Sequence, residues 1–224
     1  MVEKIKYFFS IQRTRVLFFK NLVEPIRVLE LGCGHNGNYD ILHKVFPKAE
    51  YHGVDIFEKE EVIDNIKYKK TDLNKDLLPY PDGNFDLIIF THVIEHLNNL
   101  PLLGSEINRV LNSKGSIYIE TPNWTTILIP SFGFKRDQHY PFNFFDDPTH
   151  IKPWTKNGLY EFVFNSCKLK ILKVGTARNW PRLPFDFFLI LFGVIAGNRW
   201  RILSSFWNIY GWCIYITGTK NSEK

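Results

Sequence analysis

Short apolar runs recur along the chain, each closing on a polar residue or a glycine and each followed by a segment of helical character. "IRVLEL" (Ile26 to Leu31), "EYHGVDI" (Glu50 to Ile56), "IKYKKTDL" (Ile66 to Leu73) and "FDLIIFTHV" (Phe85 to Val93) read as strands. A helix is expected through "NYDILHKVF" to Pro47, and another from near "EHLNN" to Leu111, where "NSKG" turns the chain into a fifth strand, "SIYIETP". Continuous apolar strands alternating with helices require a parallel sheet covered on both faces, so the class is α/β and doubly wound. Further on, "LKILKVGTAR" and "GWCIYITGTK" add two strands, the second free to return antiparallel beside the first. The expectation is a mostly parallel seven-stranded sheet in one domain over residues 1–224, with an antiparallel C-terminal strand.

Two segments stand outside this alternation. Residues 1–24 carry Lys4, Lys6, Arg13, Arg15 and Lys20 interleaved with Tyr7, Phe8, Phe9, Leu17, Phe18 and Phe19, the pattern of a basic amphipathic helix. Such a helix packs its aromatic face on the domain or meets a membrane surface or partner, and the pattern leaves both open. Residues 178–211, between the last two strands, form an apolar and aromatic helical insertion. Its run from Phe187 to Ala196 is too short for the ~20 residues of a spanning helix. Arg178 and Arg182 precede it, Arg199 and Arg201 follow it, and Trp180, Trp200, Trp207 and Trp212 surround it. Residues 187–207 therefore fit an interfacial segment at headgroup level, a cap over an active site, or the face of a homodimer.

Composition narrows this picture a little. The aromatics are numerous (20 Phe, 10 Tyr, 6 Trp), but the net charge of +5 is modest and no Lys/Arg stripe marks a phosphate-tracking face, which argues against nucleic acid as partner. Cys33, Cys167 and Cys213 have neither the spacing of a zinc knuckle nor that of a disulfide framework. A reducing cytoplasm is the expected location, with the inner face of the membrane open as a contact, and no export leader is read at the start.

The chemistry begins at "VLELGCGHNG", where a buried strand ends in an acid and breaks into Gly32, Gly34 and Gly37. The spacing is a literal G-x-G-x-x-G, and Asp55 ends the next strand, where a ribose-binding acid belongs. Glu30 discriminates between ligands. A pyrophosphate at the following helix would meet its carboxylate as a like charge, whereas S-adenosylmethionine presents an ammonium and a sulfonium, both positive. No Gly-Lys-Ser/Thr follows, which excludes a Walker A loop.

At these residues the sequence resembles class I S-adenosylmethionine-dependent methyltransferases, over roughly Ile26 to Gly175. The resemblance implies a Rossmann-like fold and S-adenosylmethionine as cofactor. "LELGCG" is similar to the family's first motif, which implies that Glu30 orients the methionine part and that the backbone at Gly32 and Gly34 lies close to the cofactor. "YHGVDI" implies ribose binding by Asp55 and adenine packing by Ile56. "KTDL" implies Asp72 and Leu73 near the adenine edge, and "FDLIIFTHVIEHL" puts Thr91 and His92 beneath the transferring methyl. One departure is Asn36, where the family often has glycine; the turn is then expected to be shaped differently, with Gly37 in that part.

An acceptor hydroxyl benefits from a base, and histidine titrates near neutrality. His92 and His96 follow the fourth strand, while His139 and His150 lie in "KRDQHYPFNFFDDPTHIKPWT"; His96 and His150 are the candidate catalytic residues. No metal site is expected, although His139, Asp146, Asp147 and His150 make one conceivable. "THVIEHL" lacks the Asn- or Asp-Pro-Pro-aromatic stretch of adenine-amino methyltransferases, and is similar to types found among bacterial glycan and quinone modifiers. The expected activity is methyl transfer, chiefly to oxygen, on a small-molecule, sugar or lipid-linked acceptor. A non-catalytic cofactor-binding or membrane-peripheral scaffold is the alternative, and an oxidoreductase survives only if Glu30 faces away from the site.

Overall fold

A computed structural model describes residues 10, 12–131 and 142–220. Helix α1 (Arg13–Lys20) is followed by β1 (Arg27–Leu31), α2 (Tyr39–Val45), β2 (Glu50–Asp55), β3 (Lys67–Lys70), β4 (Phe85–Thr91), α3 (Leu100–Val110) and β5 (Leu111–Pro122). Then come α4 (Lys156–Glu161), β6 (Lys170–Ala177), a helical hairpin of α5 (Leu183–Ile195) and α6 (Arg199–Tyr210), and β7 (Cys213–Thr219). The strands form one sheet in the order β3-β2-β1-β4-β5-β7-β6. β1 to β5 pair in parallel, while β7 runs antiparallel between β5 and β6. The Rossmann-like, mostly parallel architecture read from the sequence is the one observed.

The strand period of two divides the core between both faces. On β4, Ile88 and Phe90 join Leu29, Leu31, Ile117 and Ile119 in a cluster closed by Leu103 and Ile107 of α3 and Leu159 of α4. Leu87 and Ile89 face the other way, with Val28 and Tyr118, and meet Phe19 of α1 and Leu42 of α2. Helix α1 thus packs its aromatic face on the sheet, as one of the two sequence readings had it; residues 1–9 and 11 lie outside the described residues. Strand order reverses between β1 and β4, and the carboxyl ends on either side of that point open the crevice where ligands bind in such sheets.

One detail differs from the sequence reading. The helix expected from "EHLNN" begins only at Leu100; Ile94–His96 is a single tighter turn that fixes Glu95 and His96 at the end of β4. The helical insertion is a pair of helices with the apolar run on α5, and its flanking arginines divide. Arg182 is buried against Asp186 (2.7 Å), Ser204 and Ser205, and Arg178 donates to the Asn208 and Ile209 carbonyls.

Candidate active site

The turn after β1 is shaped by what each glycine would meet if it carried a side chain. At Gly37 (φ +47°) a Cβ would lie 2.2 Å from Glu30 Oε2, so only glycine lets the strand's acid reach under the start of α2. At Gly34 (φ +53°) the same position faces open space, leaving bare backbone toward the crevice. The turn therefore requires glycine at position 37, beside Asn36.

Glu30 is buried and accepts the Asn38 backbone N–H at 2.8 Å and the Asn38 side-chain amide. Burial outweighs these bonds and pushes its carboxyl up to about 7. Asn38 also donates to Thr91 Oγ1 and accepts from Arg15, whose guanidinium pairs with Glu120 at 2.7 Å. Tyr118 donates its hydroxyl to the same Glu120. α1 therefore threads a buried cation across the ends of β1, β4 and β5. Neither Arg15 nor Glu120 was singled out from the sequence. Their signal was phase: Arg15 shares a helix face with Phe19, four residues on, and Glu120 shares a strand face with Tyr118, so both lie on sides of their elements that face inward.

At the end of β2, Asp55 accepts N–H bonds from Gly34 (2.8 Å) and Ile56 (2.7 Å), which aim its carboxylate into the crevice. Ile56 beside it is 61% exposed, an apolar side chain left uncovered at a strand end. Asp72 holds a turn instead, accepting from Asn74 N and pairing with Lys75 at 2.7 Å, and the lysine keeps its carboxyl below the usual range; Leu73 is buried. Gly32, Glu30, Gly34, Asp55, Ile56, Thr91 and His92 gather at the ends of three adjacent strands, with Asp72 and Leu73 just beyond β3 at the sheet edge.

Beyond Thr91 lies a cavity of about 370 Å³. His92, at a left-handed φ of 59°, His96, Glu120 and His150 form its polar wall, and Trp200, Trp207 and Trp212 its aromatic one. The two candidate catalytic histidines are brought together, with ring centroids 4.8 Å apart. His139 lies outside the described residues. Beside the histidines stands a residue that the sequence did not single out: Glu95 is fully buried, its Oε2 accepting from Thr121 Oγ1 at 2.9 Å. Its Oε1 accepts no hydrogen bond; the nearest nitrogens are His92 Nδ1 at 3.5 Å and His150 Nε2 at 3.9 Å. Burial works against a charge on His92, but Cys213 and Glu95 outweigh it and raise the imidazole well above its ordinary range. Burial pushes His150 the other way, down.

An acid at the end of β1, an open glycine turn, an acid and an exposed apolar residue after β2, and a pocket beyond β4 define a class I methyltransferase site. A family model described as a methyltransferase domain matches residues 2–163, and the chain belongs to that family of S-adenosylmethionine-dependent enzymes. It is similar to a fatty-acid O-methyltransferase of Mycolicibacterium smegmatis (31% identity; 42% of this chain, 36% of the relative). It is also similar to a malonyl-[acyl-carrier protein] O-methyltransferase of Legionella pneumophila (30%; 44% and 37%). The chain spans between about a quarter and just over half the length of the curated relatives it matches. Among solved structures, an S-adenosylmethionine-dependent methyltransferase of Mesorhizobium loti superposes with a TM-score of 0.64 at 17% identity, over 94% of this chain and 98% of that one. The residues present fit S-adenosylmethionine: Gly34 leaves bare backbone, Glu30 and Asp55 supply carboxylates, and Ile56 offers an uncovered apolar face.

Proposed function

We propose that the protein transfers the methyl group of S-adenosylmethionine to an oxygen of a small, sugar or lipid-linked acceptor. One observation carries this reading: a cavity walled by histidines and tryptophans opens directly beyond Thr91 and His92, where the family's transferring methyl lies. When bound, the cofactor supplies a methyl made electrophilic by a sulfonium. Glu30, Gly32, Gly34, Asp55, Ile56, Thr91 and His92 would hold it, with Leu73 and Asp72 at its adenine edge. Positioning supplies much of the rate in such an in-line displacement. His96 and His150 stand on the acceptor side as its catalytic residues: each gives its Nδ1–H to a backbone carbonyl, Thr149 and Phe144 respectively, and so offers Nε2 as a lone pair to the acceptor hydroxyl.

The hairpin supports an amphipathic or lipid-linked acceptor. The side of α5 turned inward carries Asp186 and Gly193, while Phe187, Phe188, Leu191, Phe192, Val194 and Ile195 are all more than half exposed. That is the reverse of a soluble amphipathic helix. Arg199, Trp200 and Arg201 follow it, a cationic and aromatic edge suited to anionic headgroups, and Trp200 and Trp207 reach from the hairpin to the cavity. Among the described residues no helix is long and apolar enough to cross a membrane, so the contact is peripheral.

Calorimetric titration with S-adenosylmethionine, S-adenosylhomocysteine and NAD tests the cofactor; saturable binding of the first two alone is expected, and silence from both would leave the scaffold reading. Methyl transfer to long-chain fatty acids and polyprenyl-linked sugars then tests the acceptor. Flotation with anionic and neutral vesicles tests the hairpin: the protein should rise with anionic vesicles at low salt. A stable homodimer that hides the hairpin, with no flotation, would overturn the lipid contact.

A further inference from the structure

Glu95, His96 and His150 each offer a ligand atom, and these atoms lie within 4.8 Å of one another. The protons of the group can be placed from its hydrogen bonds. The Thr149 hydroxyl donates its one proton to Asp147 Oδ1 at 2.6 Å, so His96 Nδ1, 3.1 Å from both Thr149 O and Oγ1, faces two acceptors and must carry a hydrogen. His150 Nδ1 likewise faces only the Phe144 carbonyl, at 2.5 Å. Each ring therefore keeps its bare lone pair on Nε2. Backbone carbonyls that fix the tautomer in this way are the usual outer support of metal-ligating histidines. The third member is the orphaned Glu95 Oε1, on a side chain with no solvent exposure. His92 Nδ1, 3.5 Å from that oxygen, makes no hydrogen bond to it, and a cation set among the three facing acceptors would satisfy them together.

We infer that Glu95, His96 and His150 bind a divalent first-row transition-metal ion that holds and acidifies the acceptor oxygen. Two imidazoles and one carboxylate suit zinc, manganese or iron and leave open positions for substrate oxygen, whereas magnesium prefers an all-oxygen shell. The second possible cluster, His92, Glu120 and Cys213, is less suited, because the Arg15 guanidinium already sits on Glu120. Ligands around such an ion stand roughly 3.0–3.5 Å apart, so binding draws the group inward, chiefly by rotation of the half-buried His96. The inference rests on the methyl-transfer reading and refines how the two histidine lone pairs serve the acceptor: they reach it through the ion. The acceptor O–H bond then breaks with its proton leaving to Asp147, 3.9 Å from His150 Nε2, and on to solvent. The oxygen bonds to the methyl carbon as the S–C bond breaks and its electron pair returns to sulfur.

Protein stripped of metal by chelator is titrated with Co²⁺ and followed by visible absorption, then competed with Zn²⁺ and with Mg²⁺. One equivalent of Co²⁺ with the bands of nitrogen and oxygen ligation is expected, displaced by Zn²⁺ and not by Mg²⁺. His96→Ala and His150→Gln should each weaken Co²⁺ binding at least tenfold, while Cys213→Ser leaves it unchanged. Absence of saturable Co²⁺ binding overturns the inference, as does binding that survives both histidine substitutions. A thiolate charge-transfer band lost in Cys213→Ser would assign the ion to the other cluster and overturn it too. S-adenosylmethionine titrated into the same stripped protein reads separately: saturable cofactor binding together with a failure to bind Co²⁺ sinks this inference alone, and Co²⁺ binding with no cofactor binding supports the ion site while sinking the methyl-transfer reading.

Discussion

Glu30 links cofactor affinity to pH. Its carboxyl is pushed up to about 7 by burial, and the unfolded or solvated group titrates near 4.5. That shift corresponds to about 3 kcal/mol against ionisation in the empty site. The folded state binds the extra proton, so this group's contribution to stability falls as pH rises from about 4.5 to about 7 and is level above that. A ligand bringing an ammonium or sulfonium beside Glu30 selects the ionised form. That form is roughly a tenth of the empty protein at pH 6 and roughly nine-tenths at pH 8, which alone would raise affinity about tenfold; loss of the ligand's own ammonium toward pH 8 brings the net climb for S-adenosylhomocysteine to about fourfold. At pH 7 binding should release about 0.5 proton, less the ~0.1 taken up by the ligand's own amino group, which titrates near 7.7–8.0. Calorimetry of S-adenosylhomocysteine at pH 7 in two buffers of different ionisation enthalpy counts that proton. Glu30→Gln should bind more weakly, release none, and show thermal stability that varies less between pH 5 and 7. A binding enthalpy independent of buffer in the wild type, or an unaltered pH profile in Glu30→Gln, would refute the reasoning.

Other substitutions address different parts of the site. Arg15→Ala leaves Glu120 buried without its cation and should lower unfolding free energy by about 3–5 kcal/mol in urea denaturation, with much of the loss recovered in Arg15→Met/Glu120→Gln. Gly37→Ala drives a Cβ into Glu30 at a left-handed φ; a loss of about 1–3 kcal/mol in thermal unfolding and weaker cofactor binding are expected, against little effect from the same change at an exposed loop glycine. Asp55→Asn keeps an acceptor for the Gly34 N–H but loses charge, and should reduce S-adenosylmethionine affinity at least tenfold in calorimetry while the fold melts near the wild-type temperature.

Strand periodicity and punctuation carried the architecture, because residues such as Ile88 and Leu87 have to point to opposite covered faces, and that requirement is written locally. The cofactor end was legible for the same reason: Glu30, the glycines and Asp55 each sit at a strand terminus where residue type alone narrows the role. The acceptor end was less so. Glu95 and Glu120 are charged residues whose burial depends on Arg15, Thr121 and His150, from segments distant in the chain, and no single window of sequence contains such a network. Arg182 misled in the opposite sense. A basic residue beside an apolar run reads as a surface anchor, but Asp186 four residues later, on the same helical face, pairs with it inside the hairpin.

The position of β7 sets an order of assembly. It follows the hairpin in the chain yet lies between β5 and β6 in the sheet, pairing from Ser116↔Thr219 on one side to Ala177↔Cys213 on the other. During synthesis β5 therefore waits with an open edge while β6, α5 and α6 are made, and the phenylalanines of α5 leave the ribosome before the sheet can close. Domains tend to fold as units once their last element emerges. For this chain the hairpin has an interval in which its phenylalanines are out of the ribosome while the sheet still lacks the strand that joins its two parts.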